Sequence, residues 1–112
     1  MLYSEILKKN DDFKLVYTNG RSKANRYLVM YVLKNDSSGN RIGISISKKV
    51  GNSVIRHRFK RLVKESYRLH EAVFNSGLDI VVVARKEAAS ADFHEIESAL
   101  LHLGKLHHIV KE

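Results

Sequence analysis

Hydrophobic residues recur at helical spacing along the middle of the chain, between residue 53 and about residue 74. With successive residues about 100° apart, one stripe collects the apolar side chains and the remaining arc collects cations. The pattern predicts a long central helix that buries one face and has Asn52 or Ser53 as its cap. The predicted stripe is Ile55, Phe59, Leu62, Val63, Ser66, Leu69 and Val73.

Two further segments show helical signals. Asn10–Asp12 supplies an N-terminal cap and first-turn carboxylates, and Gly20 supplies a stop, so residues 11–18 are predicted to be a short helix. Residues 91–109 repeat apolar side chains at helical spacing and predict a final helix. Its apolar side chains are Phe93, Ile96, Leu100 and Leu103.

The rest of the hydrophobic pattern is typical of strands. Residues 25–33 are rich in β-formers and residues 41–47 alternate, with the turn sequence DSSGN between them, so this pair is predicted to form a hairpin. Residues 78–84 are almost continuously apolar, which indicates a strand buried on both faces. With a short strand near residues 21–24, the order αβββαβα predicts one α+β domain over residues 1–112, a sandwich of one sheet and packed helices.

The two sides of the second hairpin strand differ. Ile42, Ile44 and Ile46 share one side, whereas the opposite side carries only small or polar groups. The polar side predicts an open, backbone-rich surface that a ligand could approach. Its residues are Arg41, Gly43, Ser45 and Ser47.

The composition narrows the class of protein. A chain of 112 residues, 44% of them hydrophobic, is long enough for one domain with a real core. The absence of cysteine excludes disulfides and thiolate metal sites and is typical of a reducing cytosol. No apolar run approaches the roughly 20 residues that span a bilayer, and the first residues lack the apolar core of a signal peptide. We therefore expect a cytoplasmic protein with no membrane partner.

Positive charge is concentrated in one segment. The chain has a net charge of +8, and residues 48–68 hold 8 of its 20 basic residues and 1 of its 12 acidic ones, a local balance of +7 that leaves +1 for the rest. Arg56, Lys60 and Lys64 form a row at i, i+4 and i+8, where like charges oppose helix formation. A solvated helix face usually mixes signs, so this row favours a polyanionic partner such as a nucleic acid, although membranes and acidic proteins attract the same pattern.

The loop before the central helix also favours phosphate. Lys48 and Lys49 precede Gly51, which permits a tight turn or a close backbone approach at the helix N-terminus, where free N–H groups bind anions. The plainer alternative is that Gly51 only satisfies the turn and Asn52 only caps the helix. Both alternatives can hold together.

The same segment carries a family resemblance. KKVGNSVIRHRFKRLVKE resembles the signature of the bacterial ribonuclease P protein subunit, which has a lysine pair, a Gly-Asn turn and an Arg-Asn-Arg triplet followed by Lys-Arg. NDDFKLVYTNG, ANRYLVMYVL, RIGISISKKVGN and IVVVARK fall in the family's order and spacing, so the resemblance covers most of residues 5–110. His57 departs from the pattern, because the family usually has asparagine there. A histidine adds charge as the pH falls, so we expect RNA affinity to be more pH-dependent than in relatives with asparagine.

The resemblance implies a function, partners and a detail of the fold. Members form a ribonucleoprotein that removes the 5′ leader of precursor tRNA, and the active site with its Mg²⁺ belongs to the RNA subunit. The protein would bind no cofactor itself and would assist the ribozyme, with the catalytic RNA and precursor tRNA as partners. The implied fold is ribosomal protein S5 domain 2-like, with a left-handed β-α-β crossover. The residues implied to bind the catalytic RNA are Lys48, Lys49, Gly51, Asn52, Arg56, His57, Arg58, Lys60, Arg61, Lys64 and Arg68.

The second implied surface is a cleft that holds the single-stranded leader against Phe13, Tyr17 and Tyr31. Aromatic faces stack on bases of any identity, which suits leaders of varied sequence. From the residues alone, Phe13 and Tyr17 at i and i+4 fit the core of an amphipathic helix better. The face that Tyr31 presents is not decided by its strand pattern.

Other chemistry has weaker signals. His102, His107 and His108 could suggest a metal, but no carboxylate or cysteine ligand accompanies them in a motif, so no metal site is predicted. Asp11 and Asp12 are explained by helix capping rather than by metal-assisted hydrolysis. The alternative classes are a ribosomal-protein-like or chaperone module that binds RNA without supporting processing, and a free-standing nuclease that uses histidine.

Overall fold

Five strands and three α-helices follow one another along the chain in this computed structural model, which describes residues 3–111. The predicted domain span of 1–112 therefore extends outside the described residues at both ends. Two short 3-10 helices, Glu71–Val73 and Lys86–Ser90, flank the last strand. The strands are β1 (Ser4–Ile6), β2 (Arg21–Ala24), β3 (Leu28–Lys34), β4 (Asn40–Ser45) and β5 (Leu78–Ala84), and the helices are α1 (Asn10–Asn19), α2 (Ser53–His70) and α3 (Phe93–Leu106).

The five described strands form one sheet in the order β1-β4-β5-β3-β2. β4 runs parallel to β1 and β5, whereas β3 runs antiparallel to β5 and β2. This mixed sheet with packed helices confirms the predicted α+β class. β1 adds a strand that the sequence pattern does not reveal, because three residues are too few for a periodic signal.

The predicted hairpin is wrong, because β5 lies between β3 and β4. Val82 of β5 pairs with Met30 on one side and with Ile44 on the other. Six of the seven β5 residues are buried, as predicted, so the most apolar strand takes the central position and keeps β3 and β4 apart. The connection from β4 through α2 to β5 is thus a parallel crossover, and its left-handedness stays a prediction.

The main core lies between the sheet and the helices α2 and α3. The first five residues of the stripe predicted for α2 are buried or half-buried, but Leu69 and Val73 are exposed, and Tyr67 is buried instead. The Tyr67 hydroxyl lies 2.7 Å from Ser4 Oγ and accepts a hydrogen bond from Asn40 Nδ2 at 3.2 Å. Tyrosine can be buried at this position because its polar end has partners.

α1 packs on the other face of the sheet, over a row in which Gly43, Val81 and Tyr31 are neighbours on adjacent strands. A side-chain carbon at Gly43 would lie 2.8 Å from two ring carbons of Phe13, so glycine leaves the room that this helix needs. The surface predicted to be open is therefore covered at Gly43, while Ser45 farther along β4 is half-buried. The strand thus offers a partial opening beside α1.

The helices start and end close to the predicted positions, with one difference at α1. Its N-cap is Lys9, which makes no side-chain hydrogen bond, so Asn10 is the first helical residue rather than the cap. The two aspartates lie in the first turn as predicted, and Gly20 ends the helix by donating its N–H to the Val16 carbonyl at 2.8 Å. Among residues 3–111, no helix is long and apolar enough to cross a membrane.

Candidate nucleic-acid interface

The residues predicted to bind the catalytic RNA lie on α2 and in the loop before it, and none of their side chains is fully buried. Lys60, Arg61 and Lys64 are exposed and form no salt bridge within the described part of the chain. Their charges therefore face solvent without a counter-charge. We call the basic members of this set the cationic face: Lys48, Lys49, Arg56, His57, Arg58, Lys60, Arg61, Lys64 and Arg68.

Three arginines of the cationic face also make contacts within the protein. Arg56 donates to the carbonyl of Gly51 at 3.0 Å, and Arg58 donates to the carbonyl of Ala91 at 2.9 Å. Arg68 holds Glu65 with hydrogen bonds of 3.0 and 2.6 Å, which lower the pKa of that carboxyl below its ordinary value. These contacts fix the guanidinium groups in place but occupy only some of their five donors.

The entry to α2 is built by side chains. Asn52 caps the helix, because its Oδ1 accepts the N–H of Ile55 at 3.0 Å. A side-chain carbon at Gly51 would lie 2.5 Å from Cγ2 of Ile55, so a larger residue would displace the first turn. The capping role expected of Asn52 is therefore confirmed, whereas Gly51 serves the close approach of Ile55 rather than the turn, which residues 47–50 form. The exposed Lys48 and Lys49 stand directly before them.

The three aromatic residues predicted for the leader cleft lie together on the α1 side of the sheet. The Phe13 and Tyr17 ring centroids are 6.3 Å apart, and Tyr17 meets Tyr31 edge-on at 4.9 Å. The buried core residue of α1 is Val16, whereas Tyr17 is 39% exposed and the other two rings are half-buried. We call Phe13, Tyr17 and Tyr31 the aromatic wall, and its rings keep faces or edges available to a ligand.

A shallow floor adjoins the aromatic wall. Ser45, Val83 and Val29 occupy the next row across β4, β5 and β3, on the same side of the sheet as Tyr31. All three are half-buried, so solvent reaches this part of the sheet. Ser45 stands three residues before Lys48, which brings the floor and the cationic face together at one end of the sheet.

A buried ion pair holds α1 against the sheet, and sequence reasoning missed it. Arg41 donates to both carboxylate oxygens of Asp79, at 2.9 and 2.6 Å, and reaches Asp12 of α1 at 3.3 Å. Asp79 is 2% exposed, and Asn35 also donates to it at 2.8 Å. Burial raises the pKa of Asp79, but the hydrogen bonds from Arg41 and Asn35 outweigh this effect, so its pKa lies below the ordinary value. The sequence feature that could have indicated this ion pair is Asp79 itself, an aspartate inside an otherwise apolar strand.

The three C-terminal histidines are not gathered into one site. His107 is buried and its Nε2 lies 2.9 Å from the Met30 carbonyl, whereas His102 Nδ1 lies 3.2 Å from Asn25 Nδ2. His108 is exposed. Among residues 3–111, no group of three or more His, Cys, Asp or Glu side chains is placed to hold a metal ion.

The fold and the site define a small α+β protein with a cationic helix on one side of a mixed sheet and aromatic side chains on the other. The family model described as Ribonuclease P matches residues 1–107. The chain therefore belongs to the ribonuclease P protein family, as a protein component of that endoribonuclease, which confirms the resemblance found in the sequence.

Known relatives and solved structures agree with this membership. The ribonuclease P protein component of Lachnoclostridium phytofermentans is 61% identical over 107 residues, which cover 96% of this chain and 92% of the relative. The structure of the Staphylococcus aureus RNase P protein superposes with a TM-score of 0.87 at 36% identity and covers 95% of this chain and 97% of its own. The RNase P protein from Thermotoga maritima gives a TM-score of 0.82 at 34% identity, over 88% of this chain and 94% of its own.

Proposed function

We propose that this protein is a cytoplasmic RNA-binding subunit that assists RNA-catalysed removal of the 5′ leader from precursor tRNA. The cationic face binds the catalytic RNA, and the aromatic wall binds the single-stranded leader. The hydrolytic centre and its Mg²⁺ lie in the RNA subunit, so the protein supplies no catalytic residue and no cofactor. The observation that carries this proposal is that the floor beside the aromatic wall and the cationic face meet between Ser45 and Lys48.

Each surface suits its proposed ligand. Lysines without a counter-charge attract phosphates, and arginine donates two parallel hydrogen bonds to one phosphate group. Tyr17 and Tyr31 can stack on bases of any identity, at about 1–3 kcal/mol per base. Binding both RNAs at once raises the affinity of the ribozyme for leader-bearing substrate. The added positive charge also offsets phosphate repulsion, which lowers the Mg²⁺ concentration that cleavage requires.

Reconstitution tests the proposed function directly. The purified protein mixed with precursor tRNA should give no cleavage at the mature 5′ end, and the same protein added to the catalytic RNA should increase cleavage at low Mg²⁺. Cleavage at that position by the protein alone would contradict the proposal. A lack of any gain with the catalytic RNA would indicate a structural RNA-binding module instead.

The cationic face is tested most cleanly at Lys60 and Arg61, because neither side chain has an ion-pair partner in the described residues. The double variant Lys60→Ala and Arg61→Ala should bind the catalytic RNA more weakly and lower the salt slope by about 0.7–0.9 for each lost phosphate contact. Lys14→Ala with Lys105→Ala removes the same charge elsewhere and is the matched control. Equal salt slopes for the two double variants would show that Lys60 and Arg61 do not contact the RNA.

The aromatic wall is tested at Tyr17, the most exposed of its three rings. Tyr17→Ala should lower the affinity of the assembled enzyme for leader-bearing tRNA by about 1–3 kcal/mol and leave mature tRNA unaffected. Leu15→Ala, which truncates another half-exposed side chain of α1, is the control. Equal losses for the two tRNAs would rule out leader binding at this position.

A further inference from the structure

A concavity of about 640 Å³ lies between the β1–α1 loop and α2. It brings together side chains that are far apart in sequence, three of them lysines. Its charged lining residues are Glu5, Lys8, Lys9, Asp12, Arg41 and Lys64.

The charges of this concavity leave an excess of cations. Lys8, Lys9 and Lys64 are exposed and form no salt bridge within residues 3–111. Arg41 is shared between Asp12 and the buried Asp79, so that group contributes one net negative charge. With Glu5 as the other carboxylate, the three lysines leave the concavity at +1.

The concavity continues the cationic row of α2. Arg56, Lys60 and Lys64 are spaced at i, i+4 and i+8, so the row runs about 12 Å along the helix and ends at the concavity. At this end the chain adds Lys8 and Lys9, alongside the carboxylates of Glu5 and Asp12. Glu5 and Asp12 offset part of the lysine charge, and the excess of ammonium groups that is left attracts an anion.

The concavity also touches the base of the aromatic wall. Leu7 and Asp12 line it, and Phe13 follows Asp12 directly on α1. Leu7 and Phe13 both pack against Gly43, so the lysines stand beside the helix that carries the wall. An RNA strand that follows the cationic row beyond Lys64 would reach this concavity beside α1.

We propose that Lys8, Lys9 and Lys64 together bind a backbone phosphate of RNA, at the end of the cationic row that lies beside α1. This inference rests on the proposed function and adds a phosphate site to it. The phosphodiester group is the same in the catalytic RNA and in the leader of precursor tRNA, and the binding experiments below separate these two sources.

The test compares three double variants of the full chain. Lys8→Ala with Lys9→Ala removes two ammonium groups of the site, Lys8→Arg with Lys9→Arg keeps the charge, and Lys14→Ala with Lys105→Ala removes two exposed charges elsewhere. Each protein is titrated with the catalytic RNA alone over a salt series. Each assembled enzyme is then titrated with leader-bearing tRNA and with mature tRNA. Thermal unfolding of each variant shows whether the fold is intact, which we expect because these side chains make no internal ion pair in the described residues.

The alanine variant should lose about three- to tenfold in affinity near physiological salt, since two exposed ion pairs are removed. Its salt slope should fall by about 1–2, and the arginine variant should keep the wild-type slope. A loss with the catalytic RNA alone assigns the phosphate to that RNA, and a loss confined to leader-bearing tRNA assigns it to the leader. If the alanine variant matches the control in every titration while the wild-type protein binds and stimulates cleavage, the inference is overturned and the proposed function stands. A wild-type protein that binds neither RNA would overturn both.

Discussion

Replacing Arg41 by alanine should destabilise the fold far more than replacing Arg68, although both arginines hold a carboxylate in the same two-bond geometry. Arg41 donates to Asp79 at 2.9 and 2.6 Å, and Arg68 donates to Glu65 at 3.0 and 2.6 Å. The two pairs differ in burial, because the side chain of Asp79 is 3% exposed and that of Glu65 is 46% exposed. The comparison therefore tests the effect of burial, and the contact of Arg41 with Asp12 at 3.3 Å is the other difference between the two pairs.

The magnitude follows from what Asp79 loses. Without Arg41, the carboxylate keeps the hydrogen bond from Asn35 at 2.8 Å but loses two charge-assisted bonds worth about 1.5–3 kcal/mol each. Breaking a fully buried pair costs about 3–5 kcal/mol. The side chain of Arg41 is 34% exposed, so water can reach the vacated position, and we expect a loss of about 2–3 kcal/mol. At about 4 °C per kcal/mol for a domain of this size, the unfolding midpoint should fall by about 8–12 °C. Arg68→Ala should change it little.

Thermal and urea unfolding at neutral pH measure both losses, with Arg41→Lys as a variant that keeps the charge but not the two-bond geometry. The pH dependence gives a second readout. The pKa of Asp79 is depressed in the folded protein, so its stabilising contribution is complete above about pH 4 and is lost as the pH falls through the folded pKa. In Arg41→Ala, the hydrogen bonds from Arg41 no longer offset the effect of burial, so the pKa of Asp79 should rise. Acid unfolding should therefore begin at a higher pH. Equal midpoints for Arg41→Ala and Arg68→Ala would refute the reasoning.

Two further predictions concern the core on either face of the sheet. Burial lowers the pKa of His107, against the opposing effect of its hydrogen bond to Met30, so the folded protein should lose stability as the pH falls below about 6.5. His107→Gln should flatten the dependence of the unfolding free energy on pH in that range, and an unchanged slope would assign the effect to another group. Gly43→Ala should cost about 1–3 kcal/mol by displacing Phe13, and it should weaken leader binding while leaving the affinity for the catalytic RNA unchanged. Wild-type leader affinity in a destabilised Gly43→Ala protein would argue against the placement of the leader.

Features encoded by local periodicity were predictable from the sequence. The helical stripe and the one-sided charge of α2 depend on spacing within a single element, as do the apolar run of β5 and the cap at Asn52. The α+β class followed from the order of these elements. Periodicity does not indicate the burial of Tyr67, because the partners of its hydroxyl, Ser4 and Asn40, lie on strands far from it in sequence.

Features that depend on distant partners could not be predicted in the same way. A strand, a turn and a strand are the local signature of a hairpin, and nothing between residues 25 and 47 indicates that β5 will separate β3 and β4. In the sequence, Asp79 only interrupts an apolar strand, because its partners Arg41 and Asn35 lie 38 and 44 residues earlier in the chain. The aromatic wall could not be predicted from spacing, which favoured burial of Phe13 and Tyr17 in the core, and only the family resemblance indicated a cleft there.

The central position of β5 determines when the protein becomes competent during its own synthesis. All the residues proposed to bind RNA precede Leu78, so a ribosome has made them before β5 emerges. β3 and β4 make no pairing with each other, and only β5 joins them into one sheet. Such long-range pairing forms late, because the chain must first bring distant segments together. A nascent chain that ends before β5 would carry the RNA-binding side chains without the sheet that positions them. We therefore expect both proposed surfaces to reach their final arrangement in the same late step, after β5 has been made.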